Sequence, residues 1–171
     1  MGRRTPGPLS RAHPGRSYAP PIDTTDIVLI EQLAYKYGHL VDARAWPRFD
    51  ELFVPDAVVD YTLVNAPEVL TGLDAIVGYF ESANHPAAHH VSNVWVEEHD
   101  GDVRVWSKFW APYTRESHRP KRWFGGDYED VVVHTAAGWR FARRSCRGRW
   151  QYTLDVEPGS DDHIEARRRT Y

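Results

Sequence analysis

The sequence predicts an α+β fold, a cone with helices in its first half packed on a strongly curved, mostly antiparallel sheet supplied by its second. Three observations predict it. Apolar residues from Ile27 to Val41 recur at three- and four-residue steps, the period of a helix with one buried face. At Ala57 the pattern changes to a β-branched and aromatic run, which suits a half-buried strand. Beyond residue 88 four strand-like segments follow one another through short turns, which leaves no room for crossover helices and makes neighbouring strands antiparallel.

The elements follow in order. Asp23, Thr24, Thr25 and Asp26 supply N-cap chemistry, with Asp26 in the first turn, so the first helix begins there and runs to Asp42. Its apolar face carries Tyr37. Trp46, Phe49, Leu52 and Phe53 repeat the helical period in a short second helix, which tolerates Pro47 in its first turn and closes at Val54, Pro55 and Asp56. The first strand spans 57–64 and turns at Asn65, Ala66 and Pro67. A third helix runs from Leu73 through Ile76, Tyr79 and Phe80 until His85 and Pro86 stop it. Strands are then expected at 89–98, 103–112, 123–134 and 139–150, with a polar loop over 113–122. Gly125 and Gly126 lie inside a strand, where a bulge or kink is their expected use.

The chain of 171 residues suits one domain at 23–150, preceded by a basic, proline-rich disordered arm at 1–22 and followed by a tail at 151–171. A formal charge of -3 with 26% charged residues gives no single-sign field for nucleic acid or membrane. One cysteine, Cys146, excludes an internal disulfide. No signal-like or 18-residue apolar run is present, so the protein is expected to be cytoplasmic. Seven Trp, nine Tyr and six Phe suit a ring-lined pocket as well as a core.

The chemistry-bearing residues are few. A His beside an Asp that accepts its ring N–H is a general-base pair, because the carboxylate selects the tautomer and stabilises the imidazolium. His89 and His90 open a strand, and alternation turns only one of them inward. Asp42, at the bend after the first helix, is the candidate partner. Tyr37 and Tyr61 are candidate phenolic donors toward an oxyanion. His90, Asn93, Trp106, Arg143 and Arg147 are the candidate substrate contacts, the arginines because they follow Trp139 and Phe141 at alternating positions and suit an anion. His85, His89 and His90 lack the spacing of a metal-ligand set, and no glycine-rich phosphate loop occurs. No metal or cofactor is expected.

The runs from Ile30 to Tyr37, from Leu40-Val41-Asp42-Ala43-Arg44-Ala45-Trp46, and from Leu52 to Tyr61 occur in a recognisable order. Thr71-Gly72-Leu73-Asp74, His89-His90-Val91-Ser92-Asn93 and Gly138-Trp139-Arg140-Phe141 continue it. This ordered set resembles the SnoaL-like family of the nuclear transport factor 2-like superfamily. The resemblance implies a cone-shaped α+β barrel that forms a homodimer or homotrimer. In the branch that holds scytalone dehydratase, bile-acid dehydratase and hexachlorocyclohexane dehydrochlorinase, the catalytic His and Asp correspond to His89 and Asp42. Asn93, four residues on, favours His89 over His90, with a one-residue shift left open. Tyr37 matches the bile-acid enzyme and Tyr61 matches scytalone dehydratase. Val41 and Ser107 depart from the scytalone dehydratase pattern, which argues against scytalone as substrate.

The reading is a cofactor-independent dehydratase-type lyase acting on a hydrophobic polycyclic, aromatic or steroid-like molecule. Its alternatives are an isomerase or polyketide cyclase with the same base, and a non-catalytic ligand-binding or subunit-assembly protein.

Overall fold

The computed structural model describes residues 22–64, 66–86, 88–113 and 121–154. The expected arm up to residue 21, most of the polar loop and the tail from residue 155 lie outside the described residues.

Helix α1, Thr24–Asp42, begins with a reciprocal cap: Asp26 N–H donates to the Asp23 carboxylate at 2.9 Å, and Asp23 N–H donates to that of Asp26 at 3.2 Å. Asp26 also accepts from Trp139 Nε1 at 3.0 Å, which ties the helix start to the last hairpin. The buried face holds Ile30, Leu33, Ala34, Tyr37, Gly38, Leu40 and Val41, as the periodicity predicts. A 3-10 helix, Trp46–Glu51, follows. The expected second helix stops short because Phe141 N–H donates to Leu52 O at 2.8 Å and draws the chain into the sheet.

Strand β1 therefore starts early, at Phe53–Asp60. Pro55 is tolerated because it lies where the pairing with the last strand shifts register, between Phe53 and Val58. The strand also ends early, since the Asp60 carboxylate accepts from Thr62 N and Oγ1 at 3.0 and 2.6 Å and turns the chain. A two-residue strand β2, Leu70–Thr71, was not legible from periodicity, being shorter than one alternation. Helix α2, Leu73–Ser82, buries Ile76 and Phe80.

Strands β3, His90–His99, β4, Asp102–Tyr113, β5, Lys121–Thr135, and β6, Gly138–Leu154, complete one open sheet in the order β2-β1-β6-β5-β4-β3. All pairs are antiparallel except β1 with β6, which makes the sheet mixed. Helix α1 lies against β3 and β6, and the core sits between the helices and the sheet. Among the described residues, no helix is long and apolar enough to cross a membrane.

Two bulges bend the β5–β6 pair. At the first, Gly126 is required, because a Cβ there would lie 2.0 Å from Arg147 O. At the second, Val131 pairs with Arg143 but Val132 pairs with Phe141, leaving Ala142 over. That extra residue reverses the alternation along β6. Phe141 points inward, but so do Arg144 and Cys146, while Arg143 and Arg147 are exposed on the far face. The sequence expectation for the two arginines is corrected by this single inserted residue.

Candidate active site

A cavity of about 460 Å³ opens between the helices and the inner face of the sheet, a size that suits a small organic molecule. Tyr37, Tyr61, Phe80, His89, Phe109 and Tyr128 are among the side chains that line it.

Helix α1 and the segment leading into β3 meet at its wall. His89 Nδ1–H donates to Asp42 Oδ1 at 2.6 Å, and His89 N–H donates to Oδ2 at 2.8 Å and Oδ1 at 3.0 Å. With Nδ1 carrying the proton, Nε2 is the nitrogen with a free lone pair. The His89 side chain is only 6% exposed, so water competes little for that nitrogen. Asp42 ends a helix, where the backbone dipole disfavours negative charge. The carboxylate is placed against that local preference and is held by one histidine through three contacts.

Beside the pair lies a buried cluster of phenols. Tyr37 and Tyr61 share a hydrogen bond between their hydroxyls at 2.7 Å. Burial pushes the Tyr37 hydroxyl up to about 12, although Arg144 and hydrogen bonds from Tyr61 and Tyr128 pull it down. Burial holds Tyr61 and Tyr128 well above the ordinary value. All three stay protonated and serve as hydrogen-bond donors, not bases. Cys146 lines the same cavity, and burial pushes its thiol up to about 12, which leaves it a poor nucleophile.

Beneath the phenols sits Arg144, fully buried, donating from Nε and Nη2 to the two oxygens of Asp130 at 2.8 Å each. Its guanidinium carbon lies 4.0 Å from the ring centre of Tyr37 and 4.4 Å from that of Tyr128. Burial works against the charge of both partners and pushes Asp130 up, yet the charge and hydrogen bonds of Asp130 hold Arg144 well above its ordinary value. The two-point geometry favours the ionised pair, because each guanidinium donor meets its own carboxylate oxygen.

Sequence reasoning missed Arg144, Asp130 and Tyr128. Tyr128, Asp130 and Val132 do alternate, and that signal marks an inward face of β5. Arg144 was hidden by the bulge at Ala142. Of the expected site residues, the structure brings Asp42, His89, Tyr37 and Tyr61 together.

The five candidate substrate contacts are elsewhere. His90 alternates away from His89, is exposed, and stacks on Trp110 with ring centres 3.7 Å apart. Trp106 faces outward between inward Val105 and Ser107. Asn93 adopts φ 51 at a bulge in β3, so its position answers a backbone need that Asn meets more readily than most residues. Asn93, Trp106 and Arg147 line a separate hollow on the sheet, and Arg143 lies exposed on that outer face.

His85, at the rim, stacks on Phe80 with ring centres 4.6 Å apart, and its Nε2–H donates to Phe80 O at 2.9 Å. Burial lowers its pKa from the ordinary 6.5 to about 4, against the pull of that hydrogen bond and helped by Arg44 and His89. The fold thus prefers the neutral ring. This contribution to stability is complete above about pH 6.5 and is lost as pH falls toward about 4. Melting temperatures across that range should fall less steeply in His85→Phe, which keeps the stack but cannot take a proton. An unchanged slope would assign the acid sensitivity to other groups.

Residues 23–145 match the sequence model of the SnoaL-like domain. An uncharacterised protein of Mycobacterium tuberculosis is 28% identical over 136 residues, covering 75% of this chain and 89% of that protein. Among solved structures, a candidate scytalone dehydratase from Novosphingobium aromaticivorans superposes with a TM-score of 0.63 at 24% identity, covering 78% of this chain and 90% of that one. A hexachlorocyclohexane dehydrochlorinase from Novosphingobium barchaimii gives 0.65 at 14% identity, covering 76% and 90%. At these identities the likeness is one of fold.

Proposed function

The chain belongs to the SnoaL-like domain family, and from that premise we propose that it is a cofactor-independent lyase that removes a proton and eliminates a leaving group, in the simplest case water. The observation that carries this reading is the 2.6 Å contact of His89 with Asp42 at the wall of a cavity lined by aromatic rings. The fold likeness to dehydratase and dehydrochlorinase structures supports it.

In the proposed reaction, His89 Nε2 takes a proton from a carbon next to a carbonyl, and the electron pair left behind delocalises as an enolate. Tyr37 or Tyr61 donates a hydrogen bond to the oxygen that gains charge, and the other hydroxyl donates to it across the 2.7 Å bond between them. The pair then forms a carbon–carbon double bond as hydroxide leaves, and the imidazolium returns its proton to make water. His89 is neutral again at the end. Asp42 holds the tautomer and stabilises the imidazolium between the two proton transfers. The residues in hand supply each of these steps.

The ring-lined cavity favours a hydrophobic substrate with a polycyclic, aromatic or steroid-like body. The proposed assembly is a homodimer or homotrimer in the cytoplasm.

Product mass tests the reading. A panel of β-hydroxy carbonyl compounds with such bodies should yield products lighter by one water. Products of unchanged mass would replace elimination by isomerisation or cyclisation with the same base. Binding without turnover across the panel would favour a ligand-binding role. Tyr61→Phe should lower kcat on the order of 10²-fold with KM little changed, as expected for a donor engaged mainly in the transition state.

A further inference from the structure

A second side chain at the end of α1 reaches the segment that delivers His89. Arg44 lies two residues beyond Asp42 with φ 54, a left-handed conformation that few non-glycine residues adopt. Its Nη1 donates to Val41 O at 3.0 Å, and its Nη2 donates to His85 O at 3.0 Å and Pro86 O at 3.2 Å. One planar guanidinium therefore joins the last turn of the helix to the stretch between α2 and β3.

That stretch needs such a partner. Its described residues from 83 to 89 form neither helix nor strand, so their carbonyls lack ladder donors. Arg44 satisfies two of them, three and four residues before His89. Asp42 grips the same stretch at its other end through the His89 backbone N–H. Gly38 completes the arrangement, because a Cβ there would lie 3.3 Å from His89 O and 3.4 Å from His89 Cβ. Close approach, acceptor and donor thus come from three positions of one helix end, and all three act on the placement of His89.

We propose that Arg44 is a positioning residue for the His89–Asp42 pair, holding the incoming segment so that Nδ1 stays within hydrogen-bond reach of the carboxylate. The inference rests on the proposed role of His89 as base. Catalytic geometry tolerates displacements of only about 0.5 Å, and the segment has no regular structure of its own to supply that precision. Lysine is not an equivalent, because its single ammonium cannot span the helix carbonyl and the two segment carbonyls at once.

The test uses the full-length chain without substrate. In protein labelled with ¹⁵N-histidine, the His89 Nδ1–H proton bonded to Asp42 gives a low-field NMR resonance, assigned by its absence from His89→Asn. In Arg44→Ala this resonance is expected to disappear, or to exchange with solvent at least about tenfold faster, while the methyl and aromatic dispersion of the core is kept. Arg44→Lys should restore it only in part. An unchanged resonance in folded Arg44→Ala overturns the proposal. Should Arg44→Ala fail to fold, Arg44→Lys decides by the same criterion: faster exchange supports the proposal, and an unchanged resonance overturns it. Since no substrate enters, the result is independent of whether elimination is the reaction, which product mass decides.

Discussion

Replacing His89 by Asn is expected to lower kcat/KM about 10³-fold while leaving the fold intact. The magnitude follows from the role. General-base catalysis by a positioned group contributes about 10² to 10⁴, and a 10³-fold loss corresponds to about 4 kcal/mol of transition-state stabilisation. Asparagine keeps an N–H able to reach Asp42 in place of Nδ1–H but offers no nitrogen lone pair toward the cavity. The backbone N–H of residue 89 still donates to both Asp42 oxygens, as it does at 2.8 and 3.0 Å in the native chain, so the segment stays anchored. Steady-state kinetics with a melting curve separate the two effects. Activity within about tenfold of the native protein would remove His89 from the role of base. Asp42→Asn should also slow turnover, because its amide can present a donor to Nδ1 and favour the wrong tautomer.

The second large effect is on stability. Arg144→Met leaves the fully buried Asp130 carboxylate without either of its 2.8 Å partners. Removing one member of a buried ion pair costs about 3 to 5 kcal/mol, because the remaining charge is stranded in a medium that solvates it poorly. For a domain of this size that is a fall of roughly 10 °C in Tm. Double replacement, Arg144→Met with Asp130→Leu, should recover most of the loss, since two apolar side chains leave no buried charge. Urea denaturation of the native, single and double variants measures both. A single variant within about 1 kcal/mol of the native protein would mean that Asp130 is solvated or protonated at little cost.

Much of this site was legible in the sequence because its parts lie where local rules hold. The 3.6-residue period placed Tyr37 on the buried face of α1, and the bend after Val41 exposed Asp42 as an inward carboxylate. Alternation required one of His89 and His90 to face the helices. What failed did so at breaks in those rules. Ala142 inserts one residue in β6, so counting inward from Phe141 selected Arg143 and Arg147 where the structure places Arg144 and Cys146. Phe53 continued the helical spacing of Trp46, Phe49 and Leu52 but joined the sheet because Leu52 O and Phe53 pair with Phe141. Asn93 entered through the family resemblance, four residues after His89, yet its φ of 51 marks a bulge. Bulges are tertiary decisions about curvature, and hydrophobic period carries no trace of a single inserted residue.

The proposed reaction turns on one step, in which His89 takes a proton from carbon. Its most direct measurement is the fate of the substrate C–H proton in D₂O, followed by ¹H NMR and mass spectrometry with the native protein and with His89→Asn. The native protein should remove that proton at the rate of product formation, and His89→Asn should leave it in place. Product formation by His89→Asn at the native rate, or by the native protein with the proton retained at its carbon, would contradict the proposed step.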